Sequence, residues 1–514
     1  MRVAVIDIGS SSTKLIIGEK QGEEIKIIES LKNVIGIGKS TFYMERISQD
    51  IFNQVIDVLD KYKQVIGQYE VTNVKVIATT AVRESENRDI FIDTIQRKTG
   101  FAVDVLNVGD VVYYIDAFLS YKLKKAYPIH EKNVIIAELS SGSLDVSLME
   151  KGFTLMNIGV PIGTLRLKQF KSRLDASKQE TFEAVNEYVE NQIFLLKKAF
   201  PNVVIDDIIL IDESYASAIH SILPNKKRES NFFSFQFREA KRFLSRVMDR
   251  SFDELSSKHN IPVDVAEALD SYAVILSKLY TLIKHRSIFI LETSLMEAVM
   301  ANILFDVELS QKYNKSNQLV SVAKSICRKF GSDLKHSKQV AMLSEELFKA
   351  FRETLGLKQD DLLYLLLSAY LHNVGLFVNN RSQHKHTEYI INATNLFRLT
   401  EQEIKMIACI ARYHRKVIPQ KTHYIYGSLA PDQQILVQKL SSLLRMANAL
   451  DSSHKQKVKK MEVKATGKQE FSLTVFSEQS FALEKVNFID MKQFFEEVSG
   501  SKINLVVRKQ AANA

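Results

Sequence analysis

A chain of 514 residues with 46% hydrophobic and 25% charged positions is long for one hydrophobic core and predicts three or four globular domains. Seven Pro and 18 Gly are too few for long disordered linkers or a β-rich repeat array. No apolar run of roughly 18 residues spans a membrane, Met1-Arg2 leads straight into a strand rather than a signal peptide, and two cysteines, Cys327 and Cys409, fit a reducing, cytoplasmic setting. The net charge of +9, from 69 basic and 60 acidic residues, suits an anionic ligand or a plain solvated surface, and points to no specific nucleic acid.

The first element is a buried strand, Val3-Ala4-Val5-Ile6, running into Asp7. A tight turn, Gly9-Ser10-Ser11-Ser12, follows, and Lys14 to Gly18 returns as a second strand. Short side chains let a backbone approach phosphate closely, and a strand-end acid such as Asp7 can hold a divalent cation. The same residues also suit an exposed serine-rich β-turn. Glu24 to Ser30 reads as a third strand, and apolar spacing from Ile47 to Tyr69 predicts an amphipathic helix. Val74 to Ala78 is a buried strand, Asp89 to Thr99 a helix, and Phe101 to Leu106 a further strand. Alternating strands and helices predict α/β layers.

From about Tyr121 the opening layout repeats. Val134 to Leu139 is a buried strand carrying Glu138, Ser140-Ser141-Gly142-Ser143 is a small-residue turn, and Leu144 to Met149 returns. Two copies of one layout predict a duplicated fold with a cleft between the halves. Ile158 to Leu167 should lie beside that cleft, and Val203 to Ile211 is another strand. A basic Lys226-Lys227-Arg228 then precedes sequence that reads as mostly helical from Phe237 to Phe305. The aromatic run Phe232 to Phe237 reads as packing or a partner surface, and His285-Arg286 and Arg412 to Lys416 as solvated faces or the edge of an anionic groove.

The motifs Asp7-Ile8-Gly9-Ser10-Ser11-Ser12, Ala78 to Asn87 and Glu138 to Asp145 resemble, in order and spacing, the exopolyphosphatase/guanosine pentaphosphatase (Ppx/GppA) family. The resemblance continues through Leu371-His372-Asn373-Val374-Gly375, His384-Lys385-His386 and Ala411 to Lys416. It implies an α/β fold of duplicated actin/hexokinase-like (ribonuclease H-like) domains, an all-α HD-like domain and a small C-terminal α/β tail. The corresponding boundaries are 1–121, 122–307, 308–455 and 456–514. The implied ligand is polyphosphate or guanosine penta/tetraphosphate, with phosphate gripped by Gly9, Ser10, Ser11, Ser12, Arg83, Asn87, Gly142 and Ser143. Mg²⁺ would sit at Asp7 and Glu138 with Asp145 beside them. A homodimer and the absence of a membrane partner complete the expectation.

The departures from the family pattern shape the functional reading. The second phosphate loop, usually Asp-Ile-Gly-Gly-Gly-Ser-Thr-Glu, reads Glu138-Leu139-Ser140-Ser141-Gly142-Ser143-Leu144-Asp145, so two glycines gain Cβ atoms where backbone approached phosphate. Val112 falls where the family carries its general base, and losing such a group costs about two to four orders of magnitude in rate. Asp110, Glu138 and Asp145 remain as catalytic candidates, Asp110 also reading as a helix cap. The family's later Gly-Gly-Thr turn is replaced by Asp212-Glu213-Ser214. These changes predict a degenerate site that binds phosphoanhydrides with slow or lost hydrolysis. The alternative is a non-catalytic sensor or scaffold.

From Asp306 the chain reads as helical, with His336, His372-Asn373, His384 and His386 resembling an HD module. Asn373 and Asn448 stand where that module has Asp, and neutral amides do not offset a divalent charge, so no tightly held metal is expected there; Asp451 is a fallback ligand. Lys455 to Lys464 is basic, and Met461 to Arg508 should form the small α/β tail.

Overall fold

A computed structural model describes residues 1–123, 126–223, 231–284, 287–415 and 417–509. The Lys226-Lys227-Arg228 stretch, His285-Arg286 and Lys416 lie outside the described residues. The chain divides into two compact units, 1–315 and 316–514.

Unit 1 holds two sheets. The first comprises β1 (Arg2–Ile8), β2 (Ser12–Gln21), β3 (Glu24–Val34), β4 (Asn73–Ala78) and β5 (Val103–Val105), in the order β3-β2-β1-β4-β5. The second comprises β6 (Asn133–Leu139), β7 (Leu144–Glu150), β8 (Phe153–Val160), β9 (Asp207–Asp212), β10 (Phe232–Gln236) and β11 (Ser287–Glu292), in the order β10-β11-β9-β6-β7-β8. Read from the hairpin side, both sheets run meander, central strand, parallel neighbour: β1 pairs antiparallel with β2 and parallel with β4, as β6 does with β7 and β9. The duplication extends to register, for Asp7 stands opposite Lys14 and Glu138 opposite Asp145.

The aromatic run forms strand β10. One segment departs from the sequence expectation: the stretch to Phe305, read as mostly helical, contains β11, a sheet-interior strand parallel to β9. Ser287–Glu292 is six residues long, too short to distinguish strand from helix by periodicity alone.

The period of two along each central strand decides where its acid points. Val3 and Val5 of β1 pack into the same core cluster as Val134 and Ile136 of β6, with residues of the helices Val108–Lys122 and Leu295–Leu304 between them. Ala4, Ile6 and Ile8 face the other way, onto the helix Gln49–Gln68 through Phe52, Val55 and Leu59. Ile135 and Ala137 likewise face the helices Lys178–Ala199 and Leu269–Leu279. Asp7 and Glu138 therefore continue the faces turned toward the shared middle core. They end it where the central strands end.

Unit 2 contains a helical bundle, including Leu334–Phe351, Asp361–Leu371, Glu401–Arg412 and Pro431–Ala449. Its last part is a three-stranded sheet of β12 (Lys460–Gly467), β13 (Glu470–Phe476) and β14 (Lys502–Arg508), with the helix Ala482–Ser499 before β14. Among the described residues, no helix is long and apolar enough to cross a membrane.

Candidate functional site

A cavity of about 250 Å³ opens where the two central strands of unit 1 end, and Asp7, Ser10, Ser11, Glu138 and Asp145 are among its walls. Each hairpin turn closes in the same way: the Gly9 N–H donates to Ser12 O at 3.0 Å, and the Ser140 N–H donates to Ser143 O at 2.9 Å. A Cβ at Gly9 would lie 3.1 Å from Ser12 O, so this turn favours glycine. The two turns touch: a Cβ on Gly142 would meet the Ser10 hydroxyl oxygen at 2.7 Å and the Thr80 Cβ at 2.9 Å, and the Thr80 and Ser143 hydroxyls hydrogen-bond at 2.9 Å.

Charge in this cavity is crowded. Burial pushes the Asp7 carboxyl up to about 7, with Lys14 opposing and Glu213 adding to the shift. Burial also raises Glu138 well above the usual carboxylate range, helped by repulsion from Asp145 and Asp7. Asp145 is raised by burial against the attraction of Arg83. Lys14, by contrast, is lifted despite its burial, because Glu213, bonded to it at 2.6 Å, and Asp7 hold its charge.

The second turn shows what replacing glycine does. The Ser140 hydroxyl oxygen accepts from the N–H groups of Gly142 at 3.3 Å and Ser143 at 3.1 Å, and donates to Ser143 O at 3.1 Å. Gly142 and Ser143, both phosphate candidates from sequence, are not among the cavity's walls, and their N–H groups are engaged by the loop's own side chain.

Several sequence candidates have other tasks. Asn87 grips the backbone of Ile47, accepting from its N–H and donating to its carbonyl, both at 2.9 Å, and does not border the cavity. Asp110 is the N3 residue of a capping box with Asn107, a helix-terminus role that the short polar pair Asn-x-x-Asp dictates. Arg83 donates to Leu106 O at 2.8 Å and to the Thr80 hydroxyl at 3.2 Å, standing behind the cavity wall and acting on Asp145 by charge. On the helix Val108–Lys122 it is Val111 that borders the cavity; Val112 is packed away from it. Asp212 is consumed by its own turn, accepting from the Ser214 and Tyr215 N–H groups and from the Tyr272 hydroxyl, which leaves Glu213 on the wall. Sequence reasoning passed over Lys14, although its place seven residues after Asp7 in a hairpin sets it opposite that acid.

The fit of a cation can be judged from these groups. One oxygen each of Asp7 and Asp145 (Oδ1) is buried without a hydrogen-bond partner, and the mutual repulsion at Glu138 would be relieved by a positive ion. Among the described residues no three His, Cys, Asp or Glu side chains form a metal cage. The unbonded carboxylate oxygens fit Mg²⁺, which keeps several waters and takes one or two carboxylates together with ligand phosphates.

In unit 2, His336 and His372 come together with their Nε2 atoms 3.3 Å apart. His336 also contacts Asp451 at 2.8 Å through Nδ1 and Asn448 at 3.1 Å through Nε2. Asn373 accepts from Gln383 at 2.6 Å instead of joining the histidines. His454 stacks on His336 at 3.6 Å and His414 lies edge-on to His372 at 5.0 Å; neither was a sequence candidate for this cluster. Burial drives His372 well below the usual imidazole range and His414 down to about 3. His384 and His386 are only part-buried.

Two sheets of one strand order, each central strand ending in an acid over a common cavity, define the duplicated actin-like class of α/β fold. Within that class the chain belongs to the Ppx/GppA phosphatase family: residues 16–309 match the family model, and residues 319–492 match the model of Ppx/GppA phosphatase, domain III. A guanosine-5'-triphosphate,3'-diphosphate pyrophosphatase of Pseudoalteromonas translucida is 20% identical over 86% of each chain. A bifunctional 3-dehydroquinate synthase/phosphatase of Fusobacterium nucleatum is 25% identical over 32% of this chain, a match that spans 26% of that protein. Among solved structures, an exopolyphosphatase from Cytophaga hutchinsonii superposes with a TM-score of 0.53 at 17% identity, over 60% of this chain and 99% of its own. The Aquifex aeolicus family member gives a TM-score of 0.51 at 21% identity, over 60% and 98%.

Proposed function

We propose that unit 1 binds a phosphoanhydride chain, polyphosphate or a guanosine penta/tetraphosphate, in the cavity between its two sheets, and hydrolyses it slowly. Membership of a phosphatase family and relatives whose names specify guanosine pentaphosphate or polyphosphate support the ligand class. The observation that carries the slow chemistry is the Ser140 hydroxyl on the second loop's N–H groups. In this reading residues 1–121 and 122–307 are the two jaws, and 308–455 with 456–514 the appended modules.

The roles follow from position. The first turn, Ser10 to Ser12, offers hydroxyls on the cavity wall to phosphate oxygens. Asp7 and Glu138 would hold Mg²⁺, which would supply charge neutralisation for those oxygens. Glu138 and Asp145, carboxyls on the cavity wall held above the usual carboxylate range by burial, are the candidates to take a proton from water. No carboxylate comes from the helix Val108–Lys122 at its cavity face, because Val111 stands there. Ground-state binding is therefore better served than the transition state.

Titration with polyphosphate and with guanosine pentaphosphate, alongside phosphate release, tests the reading. The expected result is saturable binding of one of them, with turnover at least a hundredfold below that of a family member whose second loop keeps its glycines. Absence of binding to both sinks it, and brisk turnover abolished by Asp7→Asn sinks the slow chemistry.

A further inference from the structure

The cavity of unit 1 is a paradox as a polyanion site. Its walls carry six acids, Asp7, Glu138, Asp145, Glu213, Asp264 and Glu267, against four lysines, Lys14, Lys32, Lys39 and Lys168. Three of those lysines already hold a carboxylate at 2.6 Å: Lys14 with Glu213, Lys32 with Asp264, and Lys168 with Glu267. Two of the pairs reach between the halves, from β2 to the turn after β9 and from β3 to the helix Val263–Ala266, across 199 and 232 residues of chain. An ammonium whose charge is offset by a carboxylate and that has one of its three N–H groups engaged there offers less to a phosphate oxygen.

We propose that Glu213, Asp264 and Glu267 are resident competitors for the phosphate chain: each occupies a lysine that the ligand needs, so polyphosphate enters only by displacing them. This rests on the phosphate reading above and sets the affinity and ionic-strength dependence of that same site. The pairs suit displacement. Side-chain exposure is 44% and 48% for Lys32 and Asp264, and 41% and 37% for Lys168 and Glu267. The Lys14–Glu213 pair is more enclosed on the lysine side, at 19% and 45%; the two open pairs contribute little net stability, so a multivalent anion can outbid them first, while three together hold back weak or monovalent anions. A polyanion meets the lysines simultaneously; inorganic phosphate meets them one at a time. The device therefore selects long chains over single phosphates.

The test is calorimetric titration of the full-length protein with polyphosphate of defined length and with inorganic phosphate, at one ionic strength. It compares wild type, Glu213→Gln, Asp264→Asn, Glu267→Gln and the triple variant. Each single substitution should tighten polyphosphate binding about threefold, and the triple about tenfold to a hundredfold, with the discrimination against inorganic phosphate narrowed. Glu308→Gln is the control: it removes an acid from a pair of the same length, Lys20–Glu308 at 2.6 Å, with similar exposure of 39% and 43%, away from the cavity. It should change affinity less than twofold. Equal or weaker binding by the triple variant, or equal tightening by Glu308→Gln, overturns the proposal while leaving the phosphate reading intact. If neither wild type nor the triple variant binds polyphosphate or guanosine pentaphosphate, the phosphate reading itself falls and this proposal with it. Thermal melts establish that the variants are folded; if the triple is not, the three single substitutions decide on their own.

Discussion

Ser140→Gly tests the proposed effect of the Ser140 hydroxyl on the second loop. The substitution deletes one hydroxyl, which accepts from two N–H groups and donates to one carbonyl. The loop keeps its other ties: Ser140 N–H to Ser143 O at 2.9 Å, Leu165 N–H to Ser141 O at 2.9 Å and Arg166 Nε–H to Gly142 O at 3.0 Å. The turn should therefore hold its shape while two backbone donors become available. A hydrogen bond to a charged oxygen contributes about 1.5–3 kcal/mol against about 0.5–1.5 for the neutral one it replaces, so two donors gain roughly 2 kcal/mol. The added backbone freedom of glycine removes up to about 1 kcal/mol. The net is about 1–2 kcal/mol, a five- to thirtyfold tighter complex. If the freed groups also meet charge that develops during hydrolysis, kcat rises together with affinity. Polyphosphate titration and single-turnover phosphate release measure the two effects separately. A variant with an unchanged denaturation midpoint and unchanged affinity would refute the reasoning, because it would show that the loop donors never face the ligand.

The remaining predictions address other parts of the chain. Asp116 is buried beneath the hydroxyls of Ser147, Thr154 and Tyr313, and burial pushes it up to about 7, above the usual carboxylate range. The folded state thus binds this proton more tightly than the unfolded one, and stability falls as pH rises from about 4 to 7, by at most about 4 kcal/mol. Asp116→Asn should flatten that slope in urea melts, and an undiminished slope would show that the group ionises freely. Val111→Glu should place a carboxylate on the cavity wall and raise phosphate release about tenfold or more, whereas Val112→Glu should chiefly destabilise; equal activity from both would misplace the wall. Elemental analysis of protein purified without chelator should find no stoichiometric manganese, iron or zinc; metal that disappears on His372→Ala would show that amides suffice there.

Much of unit 1 was legible because its signals are local and repeated. The strand-acid-turn-strand pattern of Val3 to Lys14 recurs at Val134 to Asp145, and period-two alternation fixes which face each acid takes. What escaped depends on distance. The apolar run Ile288 to Leu291 suits a buried strand as well as a helix, and the partners that decide it, β9 and β10, lie farther back in the chain. The resident pairs at Glu213 and Asp264 join residues some two hundred positions apart, and a lone Lys on a strand reads as a solvated face until its partner is seen. Asn87 carries the residue type for gripping phosphate, but its amide matches a nearby backbone amide equally well, and that contact wins. The one-residue difference between Val112 and Val111 arises because helix phase, rather than motif counting, decides which side chain faces the cavity.

The duplicated register also exposes an asymmetry. At equivalent positions the first half sets Asp7 against Lys14, while the second sets Glu138 against Asp145. One acid has a built-in cation across the hairpin; the other has a second carboxylate, whose repulsion adds to the rise that burial imposes on both acids. Demand for an external cation is therefore greatest in the second half, although Asp7 lies nearer the intact phosphate turn. The consequence is measurable as the factor by which Mg²⁺ tightens polyphosphate binding. Glu138→Gln removes one member of the unscreened pair and should cut that factor about tenfold, equivalent to about 1.4 kcal/mol. Asp7→Asn leaves Lys14 held by Glu213 and should change the factor less than threefold. The reverse order would place the cation at Asp7 and mean that Lys14 turns away from it when ligand is present. Equal losses would point to an ion shared by both halves, bridging the acids that the duplication set face to face.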